Sequence, residues 1–255
     1  EISLGLVGSE MCIRDRYMPS IDQTFKEDYL EKDENYILKY NYEDRFIVRT
    51  GYSYIYNSAG RALMNNSGIG NSYTIRLNFE SAGNLLYAVA KLGGMKKNAS
   101  GEYTLLNIPF AQYLKGDFDF AKNLVIDNRN SLAFHFGAGI AIPYGNATML
   151  PFEKRYFSGG ANSVRGWSVR DLGPGSFPGD NNFMNQSGDI KLDASIEYRT
   201  RLFWKFRGAL FVDAGNIWTI RDYKDQPGGQ FKFDKFYKQI AVAYGLGLRL
   251  DLDFF

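Results

Sequence analysis

An arginine in a glycine-rich stretch and two distant carboxylates are the side chains in this sequence that offer specific chemistry. Arg165 lies between Gly159 and Gly166, whereas Glu197 and Asp213 follow further along the chain. An arginine presents a planar fork of donors and does not lose its charge, so a pair of carboxylates is its expected partner. The residue types therefore favour an ion-pair clamp over a pair of catalytic carboxylates.

Catalysis and metal binding have few residues available. Cys12 is the one cysteine and His135 the one histidine, which excludes an internal disulfide and a cysteine-based metal cluster and leaves little for zinc catalysis. His135 would complete a hydrolytic triad with a serine and an acid, but its neighbours Phe134, Phe136 and glycine favour a plain residue of the polar inner face. No Lys-Ser or Lys-Thr follows a Gly-x-x-x-x-Gly pattern, which argues against a phosphate loop. We expect no enzyme activity, no cofactor and no bound metal.

The composition indicates a β-protein without spanning helices. Aromatic residues make up 16% of the 255 residues and 27 glycines accompany them, although apolar residues reach only 45%. No stretch approaches the roughly 18 consecutive apolar residues of a spanning helix, whereas a membrane β-barrel stays open because its strands alternate. The net charge is +2 and no basic block occurs, so no nucleic-acid partner is expected.

Apolar and polar residues alternate with the period of a β-strand in much of the chain. One predicted strand places an apolar set on one face: Ile190, Leu192, Ala194, Ile196 and Tyr198. Its other face carries Lys191, Asp193, Ser195, Glu197 and Arg199. Several strands approach the roughly 9 to 11 residues that a tilted membrane strand needs. The pattern predicts nine strands, near residues 35–42, 45–56, 72–81, 85–92, 109–126, 130–142, 189–200, 206–218 and 239–250.

The connections between the predicted strands alternate in length. Short ones at 43–44, 82–84, 127–129 and 201–205 are each followed by a long one, at 57–71, 93–108, 143–188 and 219–238. Outer-membrane barrels sort their connections in this way, with tight turns at one end and long loops at the other. We expect Trp204 and Trp218 to mark the two aromatic girdles, the alternative being that both pack in a soluble core. The predicted fold class is all-β, an antiparallel transmembrane β-barrel with its polar face inside.

The longest connection, 143–188, carries the most informative motif. It reads Arg155-Tyr156-Phe157-Ser158-Gly159-Gly160-Ala161-Asn162-Ser163-Val164-Arg165-Gly166-Trp167, followed by Gly173-Pro174-Gly175. This stretch resembles the signature of the BamA/TamA outer-membrane assembly family, in which an Arg-Phe-x-x-Gly-Gly-x-x-Ser-Val-Arg-Gly-aromatic loop folds back into the barrel lumen. Two further stretches agree with that family, Ala194-Ser195-Ile196-Glu197-Tyr198-Arg199 and Phe211-Val212-Asp213-Ala214-Gly215-Asn216-Ile217-Trp218. The resemblance runs from about residue 45 to the end, and it looks closest to TamA-like members.

The resemblance implies roles for the motif residues of this connection, which we call the luminal loop. Arg165 docks onto Glu197 and Asp213 and holds the loop inside the barrel, the alternative being that all three are ordinary charges solvated by lumen water. The remaining motif residues shape the loop: Gly159, Gly160, Ser163, Val164, Gly166 and Trp167. Family members insert or export other outer-membrane proteins without a nucleotide or metal cofactor. The implied partners are unfolded outer-membrane client proteins, the lipid bilayer and periplasmic or inner-membrane subunits, and the implied location is the outer membrane of a Gram-negative bacterium.

Two other functions remain open at this point: a two-partner-secretion pore that exports a dedicated substrate, and a passive porin-like barrel. The family barrel has about sixteen strands, of which this chain would supply about nine, the sixth to the fourteenth. We therefore expect residues 17–255 to form a partial barrel domain, cut at both ends. Residues 1–16 resemble translated adapter read-through, and we expect a non-native or disordered leader there, the alternative being a frayed natural loop.

Overall fold

An eight-stranded antiparallel sheet dominates the computed structural model, which describes residues 5–16, 36–58, 71–179 and 183–250. The strands of this sheet are, in spatial order, β1 (Gly5–Arg16), β2 (Arg45–Asn57), β3 (Ser72–Ala82), β6 (Tyr113–Val125), β7 (Asn130–Pro143), β8 (Ile190–Arg201), β9 (Phe206–Trp218) and β10 (Ala241–Leu250). A separate ribbon pairs β4 (Thr104–Leu105) with β5 (Ile108–Pro109). Neighbours in the large sheet follow one another along the chain, which confirms the predicted antiparallel, all-β, partial barrel.

The two faces of the sheet differ in polarity as the alternation predicted. The outer face exposes large apolar side chains, among them Leu77, Phe79, Ile196, Leu210, Tyr244 and Leu246. The inner face carries charged groups and surrounds an open cavity of about 720 Å³ whose lining includes Asp117, His135, Asp193, Glu197 and Asp213. An apolar exterior around a wet interior is the arrangement of a membrane barrel.

Two of the predicted strands are helices. Residues 35–42 contain helix α1 (Tyr36–Asn41) and residues 85–92 lie in helix α2 (Asn84–Leu92). Short apolar runs fit both periods, so alternation alone does not separate them. Gly83 begins α2 with a φ of +71°, and a Cβ there would lie 2.2 Å from the carbonyl oxygen of Ala111. The tight backbone contact turns the chain out of β3 and into a helix. In the described part of the chain no helix is long and apolar enough to span a membrane.

The strict alternation of connection lengths fails in the first half because α2 is not a strand. Three long connections, 83–112, 144–189 and 219–240, lie at one end of the sheet, here called the loop end. The short turns 126–129 and 202–205 lie at the opposite end, the turn end, and β2 joins β3 at that end too. The prediction that groups 57–71 with the other long connections is therefore wrong. In the second half of the chain, which contains the motif, long connections still lie at the loop end and short turns at the turn end.

The prediction that both tryptophans lie in aromatic girdles is wrong for Trp218. Trp204 lies in a turn at the turn end and is 78% exposed. Trp218 is fully buried, because the connection that follows β9 folds over it and packs Phe231 and Phe236 against its ring. Its Nε1 donates to Gln239 Oε1 at 2.8 Å.

Residues 5–16 join the sheet. The sequence predicts a non-native or disordered leader at residues 1–16. Gly5–Arg16 is a strand that pairs with β2, with one register shift between Val7 and Glu10. An edge strand needs only unpaired backbone groups on its neighbour, so pairing does not require the alternation that this segment lacks. That the segment is non-native stays a prediction. Residues 1–4 of the expected leader, and 17–35, 59–70, 180–182 and 251–255 of the expected barrel domain, lie outside the described residues.

Candidate functional site

The luminal loop, residues 144–189 between β7 and β8, makes a tight turn just before Arg165. Gly159 and Gly160 both have positive φ, +99° and +85°, which L-residues rarely adopt. The N–H of Gly160 donates to the carbonyl of Trp167 at 2.8 Å, and the N–H of Ser163 donates to the carbonyl of Gly160 at 3.2 Å. Val164 is buried and Trp167 is half-buried. These bonds form a compact turn that presents Arg165, next to the buried Val164.

Arg165 contacts both of the carboxylates that the sequence pointed to. Its Nε donates to Asp213 Oδ2 and its Nη2 to Asp213 Oδ1, each at 2.7 Å, and its backbone N–H donates to Oδ2 at 3.1 Å. Its Nη1 donates to Glu197 Oε2 at 2.5 Å. The guanidinium carbon lies 3.5 Å from the ring centroid of Phe211, the residue opposite Glu197 in the sheet. The hydrogen bonds to the two carboxylates and the stacking on the Phe211 ring together hold the guanidinium in one orientation.

The clamp belongs to a larger charged cluster. Glu197 Oε1 accepts from Arg199 Nε at 2.7 Å and from Arg249 Nη2 at 2.6 Å. Three arginines therefore face two carboxylates, which leaves the cluster with an excess positive charge. The side chains of Asp213 and Glu197 are 0% and 5% exposed, against 20% for Arg165. Hydrogen bonds to Asp213, and then those to Glu197, raise the pKa of Arg165 above its usual range, so the arginine stays charged at any working pH.

Gly166 brings the loop against a third strand. A Cβ at this position would lie 2.9 Å from the Cβ of Ala243 in β10. Ala243 pairs with Asp213 in the sheet. The motif therefore contacts β8, β9 and β10 together, at the point where the clamp lies.

The part of the luminal loop that precedes Gly159 is bonded to β3 and β6, which are different strands from those that Arg165 contacts. Lys154 Nζ lies 2.7 Å from Glu80 Oε1 on β3, and Tyr156 Oη donates to Asp117 Oδ1 on β6 at 2.5 Å. Tyr156 and Gly188 exchange two backbone hydrogen bonds of 2.8 Å, which close the base of the loop. The loop thus connects β3 and β6 with β8 and β9. Sequence reasoning missed these contacts, although Lys154 and Tyr156 flank or belong to the motif.

A buried ion pair lies at the same base. Arg155 Nε and Asp189 Oδ1 are 3.5 Å apart, and both side chains are fully buried. Arg155 Nη2 donates to Gln226 Oε1 at 3.3 Å, and Asp189 Oδ2 accepts from the backbone N–H of Ile220 at 3.0 Å. Burial raises the pKa of Asp189, and the nearby Arg155 opposes that rise. The pair joins both legs of the luminal loop to the connection between β9 and β10.

The histidine does not form a hydrolytic triad. His135 Nε2 lies 2.7 Å from Asp119 Oδ2, and its Nδ1 lies 3.4 Å from Asp193 Oδ2. Both ring nitrogens face carboxylates, so neither is available to take a proton from Ser195, which pairs with His135 in the sheet. The ring instead connects β6, β7 and β8 across the inner face. Among the described residues, no group of three or more His, Cys, Asp and Glu side chains is placed to hold a metal ion.

Gly159→Ala will disorder the luminal loop. A Cβ at Gly159 would lie 2.1 Å from the carbonyl oxygen of Ser168, in a backbone conformation that alanine avoids. We expect faster cleavage of the loop by added protease in outer-membrane vesicles. Gly101→Ala is the matched control, because Gly101 also has a positive φ, +78°, but a Cβ there would meet no atom within 4 Å beyond its chain neighbours. Equal cleavage of both variants would contradict the close contact at Gly159.

Comparisons with known proteins find partial matches to two relatives and one solved structure. An outer membrane protein assembly factor, BamA of Neisseria meningitidis serogroup B, is 32% identical over 96 residues, which are 34% of this chain and 12% of that protein. Sorting and assembly machinery component 50 homolog A of Xenopus laevis is 27% identical over 146 residues, 55% of this chain and 30% of that protein. The crystal structure of BamA from Haemophilus ducreyi lacking POTRA domains 1-3 superposes with a TM-score of 0.42 and 17% identity, over 80% of this chain and 49% of that one.

These matches span well under two thirds of each relative. The Omp85 superfamily domain, by contrast, matches residues 14–255, which include every strand of the sheet after β1 and the whole luminal loop. This match leaves most of β1 outside it. The chain belongs to the Omp85 superfamily.

Proposed function

We propose that this chain is part of a factor that inserts or translocates client proteins at the outer membrane of a Gram-negative bacterium. The observation that carries the proposal is the clamp, in which Arg165 of a luminal loop binds Glu197 and Asp213 on neighbouring strands. The family match and the two relatives, an outer membrane protein assembly factor and a sorting and assembly machinery component, support the same function. Its partners would be unfolded outer-membrane clients, the lipid bilayer and periplasmic or inner-membrane subunits.

The proposed mechanism uses binding and needs neither a cofactor nor an enzymatic step. A strand edge presents unpaired N–H and C=O groups, on which a client strand pairs by β-augmentation. The rest of the barrel must keep its shape when such an edge opens. The luminal loop would brace the other strands from inside. Its base is fastened to Glu80 and Asp117, and its tip to Glu197 and Asp213, so it ties β3 and β6 to β8 and β9 from inside.

A passive pore is the weaker alternative. The luminal loop lies in the inner cavity, where Tyr156, Ser163 and Arg165 form part of the lining. A loop fastened at both its base and its tip obstructs diffusion. An export pore for one dedicated substrate uses the same brace and therefore needs a functional test to separate it from a general assembly factor.

Depletion of the full-length protein distinguishes these functions. The parent gene is placed under a repressible promoter in its Gram-negative host, and folded outer-membrane proteins are quantified as the protein is lost, with a plasmid copy of the gene as control. We expect a broad loss of folded barrels that the plasmid copy restores. Loss of one secreted protein alone would favour the dedicated exporter, and unchanged levels of all of them would favour the passive pore.

A further inference from the structure

Helix α2 exposes an apolar stripe on the side that faces away from the protein. Leu85, Val89 and Leu92 are 65%, 58% and 89% exposed, and their i, i+4, i+7 spacing places them on one helical face. Ala90, on the opposite face, is buried against the body of the protein. A helix that lies at a water-exposed surface carries polar residues on this outer face, whereas the outer face of α2 is apolar.

The helix starts where the outer apolar band of the sheet ends. Leu77 and Phe79, exposed on the outer face of β3, precede it by only a few residues. Asn84, the first residue of α2, donates from Nδ2 to Ser81 Oγ at 2.7 Å and accepts from Gln112 Nε2 at 2.9 Å. These bonds fix the start of the helix to the rim of the barrel at the loop end. The apolar stripe of α2 therefore begins within a few residues of the apolar band on the outer face of β3.

The charges within α2 and in the residues that follow it, up to residue 101, are all positive. Residues 84–101 contain Lys91, Lys96 and Lys97 and no aspartate or glutamate. The three lysines are exposed, and Lys97 also lies over the ring of Tyr103 at 5.1 Å. Apolar residues beside lysines are the pattern of a helix that lies in the headgroup region of a bilayer, because the lysine stems extend along apolar surface and their ammonium groups reach phosphates.

We propose that α2 lies in the lipid–water interface at the loop end, with Leu85, Val89 and Leu92 among the acyl chains and the three lysines at anionic headgroups. Two features favour lipid as the occupant: the stripe begins beside the apolar outer band of β3, and the lysines complement negatively charged headgroups. The helix anchors the rim of the barrel between β3 and β6. This placement does not depend on the proposed function.

Depth-dependent fluorescence quenching tests the placement. The cysteines of the full-length protein, Cys12 among them, are replaced by serine, and one cysteine is introduced by Leu92→Cys and labelled with a fluorophore. The protein is then reconstituted into phosphatidylcholine vesicles that contain phosphatidylglycerol. Ser100→Cys is the control, because Ser100 is exposed in the same connection but lies outside the helix. We expect lipids with a nitroxide on the acyl chain to quench the label at residue 92 about threefold or more above the label at residue 100. Val89→Cys serves as the second helical site.

Three results would overturn the proposal. Equal quenching at residues 92 and 100 would place the helix in water. Energy transfer between labelled copies that grows with protein density, without lipid quenching, would assign the stripe to a second copy of the chain. The combined variant Lys91→Gln, Lys96→Gln and Lys97→Gln should reduce the quenching at residue 92 in vesicles with phosphatidylglycerol and leave it unchanged in phosphatidylcholine alone. An equal effect in both lipids would refute the headgroup contact.

Discussion

Arg165→Ala will release the tip of the luminal loop and abolish most client assembly, while the barrel still inserts into the membrane. Asp213 loses the two hydrogen bonds from the Arg165 side chain and Glu197 loses one, and the side chain of Asp213 is fully buried. Removing one partner of a buried pair costs on the order of 3 to 5 kcal/mol, and access of lumen water reduces that figure. Because about 1.4 kcal/mol is a factor of ten, a cost near 3 kcal/mol shifts the docking equilibrium about a hundredfold.

The measurement is protease cleavage of the loop in outer-membrane vesicles together with the level of folded client barrels. Arg165→Lys is the matched control, since it keeps the charge and loses the fork; we expect it to restore only part of the docking. Normal client levels together with a cleaved loop would show that the clamp holds the loop but is not needed for client assembly. Normal levels with an intact loop would contradict both the clamp and its role.

Asp213 is the better partner for a charge exchange. Glu197 also binds Arg199 and Arg249, so Glu197→Arg would place a third arginine beside them. We expect Arg165→Asp to be impaired and Arg165→Asp with Asp213→Arg to regain part of the loss, measured by the same cleavage. No recovery would indicate that the bidentate geometry, rather than opposite charge alone, holds the loop.

The strands around the clamp could be predicted from local sequence, because the alternation of apolar and polar side chains determines which residues face inward. Strand β9 has the predicted bounds, 206–218, and β8 begins one residue later than predicted. The inward position of Glu197 and Asp213 follows from that pattern. Their contact with Arg165 came from the family motif, since no local pattern brings residues more than thirty positions apart together. The clamp's role stays a proposal.

The structure departs from the sequence prediction where long-range packing decides. Helix α2 replaced a predicted strand because its apolar run is short and a tight contact between Gly83 and Ala111 turns the chain. Trp218 is covered by a connection that follows it, which the pattern within β9 does not reveal. Arg199 and Arg249 join Glu197 from two strands, and Asp189 meets Arg155 across the base of the loop. Charge pairs of this kind depend on register and on loop path.

Arg155→Leu will destabilise the barrel more than any other single change at the base of the luminal loop. The substitution leaves the charge of Asp189 fully buried, with the backbone N–H of Ile220 as its remaining hydrogen-bond donor in the described structure. Removing one partner of a buried ion pair costs about 3 to 5 kcal/mol, and the weaker attraction of Arg221 offsets part of that cost. We expect the folded band in a gel heat-shift assay to be lost at a lower temperature than in the original protein.

The double variant Arg155→Leu with Asp189→Asn tests whether the charge is responsible. It removes the unpaired charge and should recover most of the lost stability, because replacing both partners of a buried pair is often close to neutral. Burial already raises the pKa of Asp189 and Arg155 opposes the rise, so in Arg155→Leu that pKa moves higher still. A folded-state pKa above the unfolded value makes the folded protein bind more protons, so the stability of Arg155→Leu will increase as the pH falls from neutral. A double variant as unstable as the single one, with no such pH dependence, would assign the loss to the packing of Arg155 against Tyr223 and Gln226 instead.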